Sequence, residues 1–241
     1  MKKFFTLLAV AAMAMTAGAQ ELTWKVAADF TAVDNESVAL DTNCPMSFTA
    51  DGKWAAPKSD QFGTAEAFPE LTCSLQGGNN PKFDKLGYKK DDNFNIPNTG
   101  CGYIFSPKTD GTLTIYAKLA GGKPSRIVTG EAYAKFDAVH ADGTPCDWFA
   151  DLTYGVDGNG QCILTVDAVK DTRYCLVTDG SKATIYGYNF VAGSGTVGIE
   201  NVAIDENAPV EYFNLQGVRV ANPENGLYIR RQGSKVSKVI L

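Results

Sequence analysis

Between residues 101 and 190 the chain repeats one pattern: a short alternation of apolar and polar residues, then a turn. In "CGYIFSPKTDGTLTIYAKL", Leu113, Ile115, Ala117 and Leu119 fall on one face. Thr112, Thr114, Tyr116 and Lys118 fall on the other. That period of two is the signature of a strand with a buried face. Pro107 and Asp110-Gly111 supply the turn chemistry before it. "EAYAKFDAV", "QCILTVD", "TRYCLVT" and "KATIYGYNF" continue the series, with "DGNG" and "TDGSK" as breaks. Helical periodicity is missing. Short strands separated by turns predict two packed antiparallel sheets, with Leu113, Ile115, Leu164 and Val166 in the core.

Upstream, "LTWKVAADF" alternates Leu22, Trp24, Val26, Ala28 and Phe30 against polar and small residues, predicting a first strand with Trp24 inward. Residues 31–100 are rich in Gly, Pro, Asn and Asp. They predict long loops, with short strands near residues 46–49 and 71–75.

The N-terminus reads as an export signal. Lys2 and Lys3 precede an apolar run over residues 4–15, and Ala17-Gly18-Ala19 forms a small-residue cleavage box. The run is too short to span a bilayer, which takes about 20 residues. The expected mature chain starts at Gln20 and carries no membrane-spanning segment. The full chain has net charge −5, and cleavage would remove two lysines and no acid. An acidic product disfavours nucleic acid and anionic membrane as partners. The first cysteine is Cys44, which argues against a lipid-anchored start.

Six cysteines remain: Cys44, Cys73, Cys101, Cys146, Cys162 and Cys175. An exporting compartment permits disulfides, but the spacing does not choose among pairings. The other reading is that they are buried thiols packed as small hydrophobes. With no C-x-x-C and His140 as the sole histidine, the pattern argues against zinc. No cofactor is expected.

Catalytic motifs fail on context. Gly193, Gly195 and Gly198 spell G-x-G-x-x-G, but the β-branched, acidic "IENVAIDENAPV" that follows does not read as a helix. Residues 193–210 are expected to be a linker. A serine triad would have to use His140, and no G-x-S-x-G is present. Paired carboxylates of a glycosidase remain a remote alternative. The chain is therefore expected not to be an enzyme. Asp91, Asp92, Asn93 and Asn95, and separately Asp157 and Asn159, offer hard oxygens without EF-hand spacing, as turn-forming side chains do.

The candidate ligand-binding residues are Trp54, in "DGKWAAP", and Trp148 with Asp151, in "CDWFAD". Loop tryptophans at a sandwich rim can stack on the C–H faces of a sugar. They can equally cover an open end of the core.

The C-terminus, "EYFNLQGVRVANPENGLYIRRQGSKVSKVIL", predicts two small hairpins, one around "LQG" and one around "QGS". Its Tyr212 to Val220 stretch and Gly226-Leu227-Tyr228-Ile229 closely resemble the short tails of secreted Bacteroidota proteins, whose pattern is Y-N-L-Q-G-V-R-V followed by G-L-Y-I. Phe213 is an extra aromatic here. Such tails look like abbreviated type IX secretion sorting domains, and the resemblance implies recognition by outer-membrane export machinery. More loosely, residues 102–190 resemble non-catalytic galactose-binding jelly-roll modules that accompany glycan-degrading enzymes. The combined expectation is an all-β chain: signal peptide 1–19, antiparallel β-sandwich 20–192, linker 193–210 and hairpin tail 211–241. The implied role is attachment to a polysaccharide or surface, outside the cell or on it, with the periplasm as the alternative site. The rival class is an adhesin-like structural surface protein without a small ligand.

Overall fold

The computed structural model describes residues 22–83, 94–150, 155–193, 210–214, 219–220, 223, 226–232 and 235–240. The signal-like segment, Asp91 to Asn93, Asp151 and the glycine-rich run after Gly193 lie outside them. The chain divides into two compact units, one ending at Gly193 and the other running from Ser194 to Leu241.

The first unit is all-β. Its strands are β1 Trp24–Lys25, β2 Ser37–Val38, β3 Met46–Phe48, β4 Lys58–Ser59, β5 Cys73–Gln76, β6 Tyr103–Phe105 and β7 Gly111–Leu119. They continue with β8 Ser125–Val128, β9 Asp137–His140, β10 Asp147–Trp148, β11 Val156–Asp157, β12 Gly160–Ala168, β13 Tyr174–Thr178 and β14 Thr184–Ala192. Among the described residues there is no helix, and so none long and apolar enough to cross a membrane.

Two antiparallel sheets result. One runs β4-β5-β14-β7-β12-β9, with β1 also on β14. The other runs β10-β11-β8-β13-β6-β3-β2. Their inner faces share one core, in which Leu113, Ile115, Leu164 and Val166 meet Tyr103, Phe105, Ile127 and Leu176. The four residues expected inside from alternation alone are all essentially inaccessible. This is sandwich packing, each sheet supplying every second residue.

The outer faces are covered too. On the first sheet, Phe62, Phe68 and Leu71 from the loop after β4 pack over Tyr116, Ile163 and Tyr186. Gln161 ties that loop down, accepting from Gly63 N and donating to Gln61 O, both at 2.8 Å. On the second, Phe83, Phe94, Ile96 and Tyr133 pack over Ile104, Val128, Cys175 and Val177. Tyr116, which alternation sets on the face away from the core, is accordingly buried.

β14 carries a bulge between Ile185 and Gly187. It lets Ile185 and Tyr188, three residues apart, both enter the inner core, while Tyr186 faces the outer cluster. The first strand is shorter than "LTWKVAADF" predicts. β1 holds the edge of β14 at Tyr188 and Gly187, but β5 occupies that edge at Ile185 and Thr184. With no edge left, the chain turns away through a Phe30 N to Ala27 O bond. Trp24 remains half-buried against the core.

All six cysteines are free and buried. That agrees with the second of the two readings, buried thiols and not bridges.

The second unit is a four-stranded antiparallel sheet in the order β16-β15-β17-β18, built from β15 Val210–Phe213, β16 Arg219–Val220, β17 Leu227–Gln232 and β18 Lys235–Ile240. The two expected hairpins are there, and β15 also pairs with β17, fusing them into one sheet. Tyr212 and Tyr228 meet edge to face at 6.4 Å.

Candidate functional site

Trp148 lies on β10, the end strand of the second sheet. It pairs with Val156, whose side chain is in the core, so the indole leans over the open rim of the sandwich. Phe136 supports it from below, with ring centroids 5.1 Å apart. Trp148 is still 44% exposed, one of the few large apolar residues left in solvent among the described residues. An aromatic backed by a second ring and open on its other face is a usable stacking surface.

Trp54 is placed differently. Its ring packs against Phe48 at 5.1 Å and Tyr103 at 5.6 Å. Its Nε1 donates to Asp34 Oδ1 at 3.0 Å. The other oxygen of Asp34 accepts from Asp51 N at 2.9 Å, so one carboxylate fixes both the indole and the loop before it. Trp54 is half-buried, and its polar handle is used internally.

The two tryptophans do not form one platform. Trp148 is on the β10 edge, and Trp54 packs against β3, five places along the same sheet. At about 4.8 Å per strand that is a separation of roughly 20 Å or more. Asp151, the third sequence candidate, lies outside the described residues. Asp157, weighed as an oxygen donor, accepts from Gly122 N at 3.0 Å and so holds a turn.

Next to the same rim is a cluster that residue spacing alone did not single out. The chain passes from the first sheet to the second between β9 and β10, and returns between β11 and β12. These two crossings bring Cys146 beside Cys162, Sγ to Sγ 3.5 Å. His140 pairs directly with Cys162 across β9 and β12. Its Nδ1 is 3.9 Å from Cys162 Sγ. The three donor atoms all lie within 4.8 Å of one another. Cys162 Sγ also approaches the carbonyl oxygens of Gly158 and Gly160, at 3.2 and 3.5 Å.

Burial pushes both thiols above the ordinary cysteine range. For Cys146 the carboxylates of Asp147, Asp142 and Asp157 push the same way. Asp142 is held below the usual carboxylate range by hydrogen bonds from the Thr144 hydroxyl and backbone N–H, which close the turn between His140 and Cys146. The signal for this cluster was in the sequence: the D-G turn in "HADGTPC" folds Cys146 back beside the strand that carries His140. The missing C-x-x-C concealed it, because the second sulfur arrives through strand pairing.

No protein-family model, curated protein or solved structure matches this chain.

Proposed function

We propose that the chain is an exported, non-catalytic attachment module that offers the exposed face of Trp148 to the C–H face of a sugar in a polysaccharide. The observation that carries this reading is the pairing of exposure with rigid support: Trp148 is 44% exposed and seated on Phe136. Stacking on a preplaced ring loses little side-chain entropy. The N-terminal export pattern and the sorting-like tail support a location outside the cell or on its surface, with the tail read as the segment addressed to export machinery.

The test is a glycan-array screen of the mature protein, followed by affinity electrophoresis of Trp148→Ala on the polysaccharide that binds. A loss of about 1–3 kcal/mol is expected, by analogy with the removal of an aromatic from a stacked base. Unchanged affinity would remove Trp148 from the site.

Trp54 favours a second reading, an adhesin-like structural surface protein. Its indole N–H is committed to Asp34 and its ring to Phe48 and Tyr103, the behaviour of a rim residue that completes a core. Failure of the mature protein to bind any glycan would select that reading.

A further inference from the structure

We infer that His140, Cys146 and Cys162 form a binding site for a thiophilic divalent cation of the zinc type. The inference is independent of glycan binding and concerns the opposite kind of chemistry, soft ligation inside the rim instead of stacking on it.

Geometry comes first. Zinc bonds are about 2.3 Å to a thiolate and about 2.0 Å to an imidazole nitrogen. In a tetrahedral shell those lengths put two sulfurs about 3.8 Å apart, and a sulfur and a nitrogen about 3.5 Å apart. The protein holds the sulfurs at 3.5 Å and one sulfur–nitrogen pair at 3.9 Å. The third pair, Cys146 Sγ and the His140 ring, lies within 4.8 Å, so side-chain adjustments of up to about an ångström would bring all three donors onto one cation.

Charge comes second. Two thiolates neutralise a divalent cation, so the filled site buries no net charge, whereas two bare thiolates there would be costly. Both thiols lose their protons on binding, and the Cys162 hydrogen bond to Gly158 O gives way to the metal bond. Asp142, Asp147 and Asp157 lie close enough to act on Cys146 and add to the negative potential that draws a cation in.

Rigidity comes third. His140 and Cys162 are held in register by β9 and β12. Cys146 is held by its N–H to Ala138 O at 3.2 Å, on the other edge of β9. The backbones of the two cysteines thus flank β9, and their sulfurs are in van der Waals contact, well beyond the roughly 2.05 Å of a disulfide. His140 is only half-buried, which leaves an approach from solvent. Three protein donors with one side open correspond to a site whose fourth position goes to water or a small ligand.

The experiment titrates reduced, metal-free mature protein with cobalt(II) alone, and then competes with zinc(II). Expected is a single bound cobalt per chain, with thiolate-to-cobalt charge-transfer absorption and tetrahedral d–d bands that zinc abolishes. Cys146→Ser and Cys162→Ser should each remove the charge-transfer signal. His140→Asn, at the half-buried position least able to disturb folding, should weaken binding by more than the roughly 10–100-fold seen for loss of a mere supporting residue. Cys73→Ala should change nothing. Absence of thiolate-to-cobalt absorption in the folded wild type would overturn the inference. So would full binding in His140→Asn, or a peptide map of unreduced native protein showing Cys146 disulfide-linked to Cys162.

Discussion

Arg126 Nη2 lies 2.6 Å from Asp179 Oδ2, and both side chains are almost wholly withdrawn from solvent. Arg126 sits on β8, facing the outer cluster of the second sheet, with its guanidinium 5.2 Å from the ring centroid of Tyr133 and Nη1 donating to the Tyr133 hydroxyl at 2.9 Å. Asp179 is fixed by its own N–H to Pro124 O at 2.8 Å, and Ser125 and Thr178 join hydroxyls beside it at 2.8 Å. One ion pair therefore latches the turn after β13 to the start of β8. Removing one partner strands a buried charge, so Asp179→Ala should cost about 3–5 kcal/mol in urea unfolding. The double replacement Arg126→Met, Asp179→Leu removes both charges together and should cost far less. Equal losses in the two variants would show that packing, and not charge, sets the value.

The bulge in β14 rests on one glycine. A Cβ on Gly187 would come within 2.6 Å of Trp24 O and 3.1 Å of Leu71 Cδ2. The first neighbour is backbone and cannot swing aside. Gly187→Ala should push β1 off the sheet edge and cost about 1–3 kcal/mol, the range for overpacking a tight site. Hydrogen exchange should then rise at Val26, whose N–H bonds to Tyr186 O at 2.9 Å. Full protection at Val26 in the variant would mean that the edge absorbs the methyl group.

Alkaline pH should destabilise the first unit through its buried thiols and phenols. Burial pushes the thiol of Cys44 up to about 12, and those of Cys101 and Cys175 upward as well. Burial likewise pushes the Tyr116 phenol up to about 12, with Tyr103, Tyr186 and Tyr188 also raised. In the unfolded chain the thiols release their protons near 9.0 and the phenols near 10.0. The folded state keeps its protons longer, so its stability is whole below about pH 9 and declines as pH rises through the raised folded values. Each group released only on unfolding contributes a slope of about 1.4 kcal/mol per pH unit. Urea midpoints from about pH 8 to about pH 11 should fall steadily, and tyrosinate absorbance should appear together with unfolding. Tyrosinate forming while the fold persists would contradict this.

Strand content was legible because β7, β12 and β14 expose the apolar stripe of a two-sheet core directly in their alternation: Leu113, Ile115, Leu164, Val166 and Phe190. The outer layers were not, since Phe62, Phe68, Phe94 and Ile96 sit in stretches without periodicity and are recruited by tertiary contact. β1 was overread because a competing strand on the same edge leaves no trace in its own residues. The same limit applies to the rim. Trp148 reads in the sequence as a loop aromatic and lies instead on the short edge strand β10, while Phe136 beneath it and the Cys162–His140 register depend on pairings between distant strands.

The tail is expected to be dispensable for folding of the first unit. The chain divides after Gly193, and the terminal sheet closes on itself: β15 pairs with β16 on one edge and β17 on the other, while β18 completes the second hairpin. Glu211 and Arg219 lie 3.3 Å apart across the first hairpin, a pairing internal to the unit. A lone hairpin is marginal in water, and the four paired strands meet the minimum of about three that independent stability requires. Its charge sets it apart, since Arg230, Arg231, Lys235 and Lys238 follow the last acid, Glu224, on a chain that is acidic as a whole. A basic terminus on an acidic protein suits recognition by a partner better than a neutral cap would. Truncation after Pro209 should shift the melting temperature by less than the roughly 2–4 °C that 1 kcal/mol produces in a chain of this size. Cell fractionation of the truncated protein should show it retained inside the outer membrane, with surface display lost. A large fall in melting temperature would make the terminal sheet part of the fold, and undiminished surface display would deny it the role of an address.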